Sequence, residues 1–352
     1  MIKTITFIRF PFESRMGGEE LHTVKLAEFF NNNGFKVRLI SSCKVLISEF
    51  KKLGLEVYEF KPFRAPVTKI SMLAFIIKYP WSLFRFKSKF NSDFFENEAC
   101  TFLLNIGEKI IFSKYLSKVS SKVVFMEHAR IGNFILKNPF LSHLRKVSKL
   151  KTIEIVSVSK IMERDLIKAY NQKATIIPNA IYNLKTLRNK TDYKLKKIGY
   201  LGRFTEDKGS NLIIKLASKN KDIEFLVSTE KFENSPNNLK CLGYLKGKKL
   251  EEFWDQIDLL LLPASKIDPF GLVVLEAMQR KVPVLISNNV GAKDYFKKDL
   301  EIFIEDLDKI ENKIQDLKSK EKLMQKVALN AFKKISSMTD DKMHQSYLNL
   351  FK

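Results

Sequence analysis

The sequence predicts an α/β protein: two Rossmann-like, doubly wound domains of parallel strands and covering helices, facing a central cleft. Three observations carry that expectation. The chain opens as strand, glycine loop, helix and strand; the same rhythm runs on to about residue 183; and after a polar, basic interruption over 184–197 it starts again. Parallel strands need a crossover connection, usually a helix, so alternation of short apolar runs with helical spacing is the mark of βαβ units. At 352 residues the chain is comfortable as two domains.

In the first half, residues 2–8 are a β-branched run that reads as a strand. Gly17 and Gly18 follow in a loop. Residues 19–32 then set Leu21, Val24, Leu26, Ala27 and Phe30 at helical spacing, and Gly34 closes the helix. Strands are expected next at 37–40, 57–60, 123–126 and 155–158. Ser159 is a candidate N-cap for a helix over 161–170, and a strand at 175–177 stops at Pro178. This half, 1–183, is read as the acceptor-binding domain, and 184–197 as a linker.

The second half restarts with a strand at 198–201, a helix at 210–218 and a strand at 225–228. A helix at 248–256 precedes a strand at 259–262, and a helix at 272–280 precedes a strand at 284–287. Residues 184–335 make the donor-binding domain. The tail beyond Asp306 is helical and charged. A last helix through Met343, Tyr347, Leu348 and Phe351, capped by Asp340 or Asp341, is expected to pack back on the first domain as the segment 336–352.

The formal net charge is +23. Such a field attracts anions, whether nucleic acid, anionic lipid or phosphorylated substrates, although a lysine-rich composition bias is an equal reading. Without a helix-turn-helix, zinc-finger or RNA-binding aromatic signature, no nucleic-acid partner is expected; a basic nucleic-acid-binding protein stays as a competing class. Cys43, Cys100 and Cys241 are widely separated and form no paired motif, which fits a reducing cytoplasm. The N-terminus has no small-residue cleavage site after its apolar run, and no apolar stretch reaches the roughly 18–20 residues that span a bilayer. Residues 67–90 interleave Lys69, Lys78, Arg85, Lys87 and Lys89 with Phe75, Tyr79, Trp81, Phe84, Phe86 and Phe90. Residues 134–151 repeat the theme more weakly. An anionic membrane surface is therefore a candidate partner, placing the protein in the cytoplasm or on the inner face of the cytoplasmic membrane.

Two segments carry chemistry. The first runs from Gly202 and Arg203 to Lys208 and Gly209, between a predicted strand and helix. Glycine permits close backbone approach, the helix start offers free N–H groups, and two cations suit a diphosphate, which Arg binds in a fork and Lys as a point charge. The Walker spacing is missing. The second runs from Asp268 through Pro269, Phe270, Gly271 and Leu272 to Glu276, with an acid at each end. Carboxylates accept short hydrogen bonds from hydroxyl-rich ligands. A capping acid and an exposed helix Glu give the same pattern, so the pair alone decides nothing. His128 follows the predicted strand 123–126, on the ligand-binding side of such sheets. His22, His143 and His344 are read as structural, and Asp306-Leu307-Asp308 as helix capping rather than a metal motif.

Taken in order, these segments resemble the family 4 retaining glycosyltransferases of GT-B architecture (glycosyl transferases group 1). Gly202-Arg203, Lys208-Gly209, Leu261-Leu262-Pro263, Asp268, Gly271-Leu272, Leu275-Glu276-Ala277-Met278 and Gly291-Ala292-Lys293-Asp294 match that family's sequence of motifs, as do Ser157-Val158-Ser159 and Ile177-Pro178-Asn179 at its domain junction. The resemblance implies a nucleoside diphosphate sugar donor with Arg203 and Lys208 on the diphosphate, Glu276 on the ribose hydroxyls and Asp268 on the sugar. It further implies that Gly17 and Gly18 approach the donor, that His128 lies beside the sugar, and that no metal or other cofactor takes part. The acceptor is expected to be a glycan or lipid-linked hydroxyl in lipopolysaccharide, capsule or other envelope synthesis, with a non-catalytic GT-B partner subunit as the alternative. Three positions depart from the family: Asp268 replaces the usual Glu, Asn179-Ala180 the usual Asn-Gly, and Tyr182 a frequent Asp.

Overall fold

The computed structural model describes residues 2–11, 14, 16–63, 69–129, 131, 140–182 and 191–351. The chain forms two compact units. One comprises Met1–Val158, Glu163–Ile177 and His344–Lys352; the other comprises Ser159–Met162 and Pro178–Met343.

The first unit is built on strands β1 (Thr4–Arg9), β2 (Lys36–Ser41), β3 (Glu56–Glu59), β4 (Glu98–Leu103), β5 (Val123–Glu127), β6 (Ile153–Ser157) and β7 (Thr175–Ile176). They pair in the order β3-β2-β1-β4-β5-β6-β7, and every pairing is parallel. All six residues of β1 are buried, as are all six of β4. Strands covered on both faces lose the alternation of a half-exposed sheet. Phe7 of β1 stacks on Phe102 of β4 at 4.9 Å between ring centroids and meets Phe30 and Phe50 at 6.4 and 6.0 Å. The helix Ile106–Val119 after β4 starts with a capping box between Asn105 and Glu108.

The second unit repeats the plan with β8 (Lys197–Tyr200), β9 (Glu224–Val227), β10 (Leu239–Cys241), β11 (Leu259–Leu262), β12 (Val284–Ser287) and β13 (Phe303–Glu305). Their order is β10-β9-β8-β11-β12-β13, again all parallel. In each sheet the order reverses beside the first strand, at β1/β4 and at β8/β11. Ligands of open α/β sheets bind at such switch points, outside the carboxyl ends of the strands.

Several sequence expectations change at their edges. Residues 184–190 of the expected linker lie outside the described residues, but Tyr193 and Leu195 are 1% and 7% exposed and pack in the core of the second unit. The units change at Ile177/Pro178 rather than 183/184, and the tail rejoins the first unit at His344 rather than 336. There Tyr347 lies 6.2 Å from Phe102 between ring centroids, and Phe351 lies 5.6 Å from Phe30. Asp340 and Asp341 sit inside the first turn of the helix Asp340–Leu348, not ahead of it. The Ser159 hydroxyl donates to the Pro269 carbonyl, and the carboxylate of Asp294 takes the Ile161 N–H at 3.1 Å. Asp306 does not cap either. The helix Ile310–Leu317 follows Lys309 without a side-chain cap, while Asp306 accepts from Asn288 at 2.5 Å and from Lys309 at 3.2 Å.

Candidate active site

In the second unit the switch point between β8 and β11 gathers most of the expected donor residues. Strand β8 ends at Tyr200, whose hydroxyl donates to the Arg203 carbonyl at 2.5 Å and so folds the loop back on the strand. Burial pushes that hydroxyl's pKa up, and the charges of Asp268 and Asp207 push it further, so it stays protonated. Gly202 exchanges hydrogen bonds with the Ser228 hydroxyl, donating at 2.9 Å and accepting at 3.1 Å. The loop then makes a short 3-10 turn, Glu206–Lys208, and Gly209 turns left-handed at φ 90° before the helix Ser210–Lys219. A Cβ at Gly209 would stand 2.0 Å from the Pro263 carbonyl oxygen at the end of β11. Only glycine lets the two loops touch there.

Lys208 reaches across the switch point, and its Nζ lies 2.8 Å from Oδ2 of Asp268, both side chains largely buried. Asp268 is itself held by backbone. Its N–H donates to the Asn289 carbonyl and its own carbonyl accepts from Gly291, each at 2.9 Å. The loop after β12 thus props the loop after β11. Arg203 is more exposed, and its carboxylate contact among the described residues is Asp207 at 3.9 Å. The guanidinium is free to turn toward an anion.

Gly271, at φ 79°, precedes the helix Leu272–Gln279, whose first residue is Leu272. A side chain at Gly271 would press on Val290 at 2.9 Å. Glu276 lies one turn into the helix. No donor among the described residues bonds its half-buried carboxylate, while its backbone carbonyl accepts from Arg280 at 3.1 Å. Burial raises its pKa; Arg280 acts the other way and Glu251 adds to the rise. A half-buried carboxylate without a bonded donor keeps its acceptor capacity open. Among the described residues no cluster of three His, Cys, Asp or Glu side chains is placed to hold a metal ion.

Gly17, Gly18 and His128 belong to the first unit. Gly17 is the extended residue before the helix Gly18–Asn32, and both glycines are exposed. His128 follows β5, and burial, with the charges of Lys109 and Arg9, holds its imidazole down at about 3. It is therefore neutral at physiological pH. The His22 ring, on the helix Gly18–Asn32, lies 4.6 Å from it.

Around these residues lies a buried ion network that sequence reasoning missed. Arg9, at the end of β1, pairs with both Glu19 and Glu20 and donates to Asn105 at 3.2 Å. Burial raises Glu19 to about 7 against the pull of Arg9. Lys109 is 1% exposed and donates to Glu127 at 2.8 Å, and Tyr170 donates to the same carboxylate oxygen at 2.5 Å. The available signal was the pair of acids directly after Gly17-Gly18; their cation, Arg9, stood just past the end of the strand expected over 2–8.

Residues 185–334 match the family described as glycosyl transferases group 1. Among curated proteins, the chain is 32% identical over 127 residues to an uncharacterized 42.6 kDa protein in the cps region of Klebsiella pneumoniae, covering 33% of each. It is 24% identical over 211 residues to the O-antigen biosynthesis glycosyltransferase WclY of Escherichia coli, covering 51% of this chain and 57% of that one. The alignments thus span about a third and just over half of these relatives. The crystal structure of Anabaena HepE in complex with UDP superposes with a TM-score of 0.77 at 14% identity, covering 99% of both chains. The fold is GT-B: two parallel-sheet α/β domains, the family match falling in the second.

Proposed function

We propose that this protein is a glycosyltransferase of the family 4 type that moves a sugar from a nucleoside diphosphate sugar to an acceptor hydroxyl in envelope glycan synthesis, with retention and without a metal ion. The observation that carries the reading is the Lys208–Asp268 pair at the β8/β11 switch point, with Arg203 beside it on the same loop. The O-antigen relative and the UDP-bound structural neighbour support the same reaction class.

In this reading the anomeric C–O bond of the donor breaks and its electrons pass to the diphosphate. Lys208 and Arg203 neutralise that charge where it develops, which is how fixed cations lower such barriers. Asp268 holds the Lys208 ammonium in place before the donor arrives and then faces the sugar. Glu276 accepts the ribose hydroxyls. The acceptor oxygen bonds to the anomeric carbon on the face the diphosphate leaves, and its proton passes to the departing phosphate oxygen. Neutral His128 supplies a hydrogen bond to the sugar rather than a charge.

A panel of nucleoside diphosphate sugars, screened by thermal stabilisation and then by product NMR, tests the proposal. At least one donor raises the melting temperature, and the new linkage keeps the donor's anomeric configuration. Lys208→Ala lowers kcat about 100-fold or more, the loss seen when one charge-stabilising donor is removed. If no donor stabilises the protein, a non-catalytic partner subunit becomes the better reading.

A further inference from the structure

The helix Lys69–Lys89 has two apolar faces, and only one of them is used. On one side Phe75, Phe86 and the following Phe90 are at most 2% exposed. Phe86 stacks on Phe112 at 4.2 Å and meets Phe60 at 5.5 Å, tying the helix to its domain. On the other side Leu73, Ile77, Trp81 and Phe84 are 67%, 75%, 56% and 61% exposed, with Ile76 beside them at 41%. Their spacing of three or four residues makes one ridge. Trp81 and Phe84 stack on each other at 5.6 Å on the outside of the molecule. A contiguous apolar patch of this kind costs a protein solubility and marks an interaction surface.

The charge around the ridge says what covers it. From Lys69 to Lys89 the helix carries five cations and no acid. Lys78, Arg85 and Lys87 are exposed and lie over the rings of Phe63, Phe60 and Tyr115, at 5.2, 5.5 and 5.3 Å. Lys89 is bonded to the Glu59 carbonyl at 3.0 Å. None of these four is paired with a carboxylate among the described residues. An apolar ridge with Trp and Phe at its crest, flanked by unneutralised cations, is the design of a helix that lies in the interface of an anionic bilayer. A second copy of the chain would bring its own cations against these. The helix is also tied to the rim of a 510 Å³ cavity at the carboxyl ends of β1, β2 and β4, lined by Phe10, Ser41, Lys44, Lys61, Phe63 and Asn105. The Phe63 N–H donates to Ser82 of the helix at 3.0 Å.

We infer that Lys69–Lys89 docks the protein on anionic lipid bilayers, with Leu73, Ile77, Trp81 and Phe84 sunk among the acyl chains and the cations at the headgroups. This goes beyond the transfer reaction and does not depend on it. No described helix is long and apolar enough to cross the membrane, so the contact lies along the surface.

The test uses the full chain, its triple variant Ile77→Ser, Trp81→Ser, Phe84→Ser, and vesicles of phosphatidylcholine with or without 30% phosphatidylglycerol. The parent sediments with anionic vesicles at least about tenfold more than with neutral ones, and salt weakens the binding. Trp254 is 1% exposed, so quenching by brominated lipid reports Trp81. Quenching of the parent by brominated anionic vesicles is expected. The triple variant, with unchanged circular dichroism and melting temperature, loses vesicle binding. Binding that persists fully in the variant, absence of quenching, or a parent dimer that the variant abolishes without any vesicle binding would each overturn the inference. A donor that stabilises both proteins equally leaves the transfer reading untouched, so the two ideas fail separately.

Discussion

At the scale of single residues, the second unit places a cation and a carboxylate in contact at the proposed donor site, and leaves the Glu276 carboxylate without a bonded donor among the described residues. Lys208 and Asp268 satisfy each other at 2.8 Å. Glu276 has a pKa raised by burial and no bonded donor among the described residues. In the proposed reaction Glu276 is the ribose acceptor. Glu276→Gln keeps the shape but weakens the acceptor, and raises the donor KM about 10-fold, equal to roughly 1.4 kcal/mol. A 2′- or 3′-deoxyribose donor shows the same loss with the parent and little further loss with the variant. The raised pKa also sets a pH dependence: protonation removes the acceptor as pH falls, so donor affinity drops at a higher pH than an ordinary glutamate would impose. In Glu276→Gln that limb disappears from the binding profile. The identity of these residues was legible in sequence, because motif order is a one-dimensional property. Their mutual pairing was not, since Lys208 and Asp268 are 60 positions apart.

At the scale of elements, the loops at the carboxyl ends of β8, β11 and β12 brace one another through backbone contacts that tolerate no side chain. Gly209 combines a left-handed backbone with a Cβ position 2.0 Å from the Pro263 carbonyl oxygen. Gly209→Ala therefore carries both backbone strain and a collision with rigid main chain. It lowers stability by about 2 kcal/mol or more, seen as a drop in melting temperature of about 4–8 °C. Gly34→Ala is the control, with a similar φ of 82° and open space around it; its loss is smaller. Most strands and helices were readable from apolar runs and helical spacing. Strand β4 was not, although it lies beside β1 at the centre of its sheet. Its residues, Glu98 to Leu103, mix Glu, Ala, Cys and Thr with two large apolar side chains. Glu98 is paired there with Arg38 of β2 at 2.6 Å, a partner 60 residues away, and accepts from Thr101 at 3.3 Å.

At the scale of the whole chain, the end returns to the beginning. His344 lies 4.9 Å from Phe29, and Tyr347 lies 5.3 Å from His22, which in turn neighbours His128. Burial lowers the pKa of His22 well below its ordinary value and that of His128 to about 3. In the unfolded chain such groups titrate near 6.5. Between the two values the unfolded state binds more protons, so the contribution of His128 is complete above about pH 6.5 and is lost as pH falls toward 3. Glu19, Glu98 and Glu108, each raised to about 7 by burial, act in the opposite sense. They are common to the parent and to His128→Gln, so the difference between the two proteins isolates the histidine. Relative to the parent, the variant gains about 1 kcal/mol as pH drops from 7.5 to 5.5, measured by urea unfolding at each pH. A constant difference over that range would mean that His128 titrates normally.

The order of motifs, the two α/β halves and the position of Arg203 and Lys208 between a strand and a helix were all properties of the sequence, because local propensity and residue spacing carry them. Which charges neutralise each other, that Tyr193 and Leu195 belong to the core of the second unit, and that Ser159 and Asp294 tie the junction segment to that unit were decided by tertiary structure. Those contacts join positions as much as 133 residues apart, and no local pattern records them. The ridge on Lys69–Lys89 lies between the two cases. Its cations and aromatics were visible in order, but only packing showed which aromatic side chains face the core and which face outward.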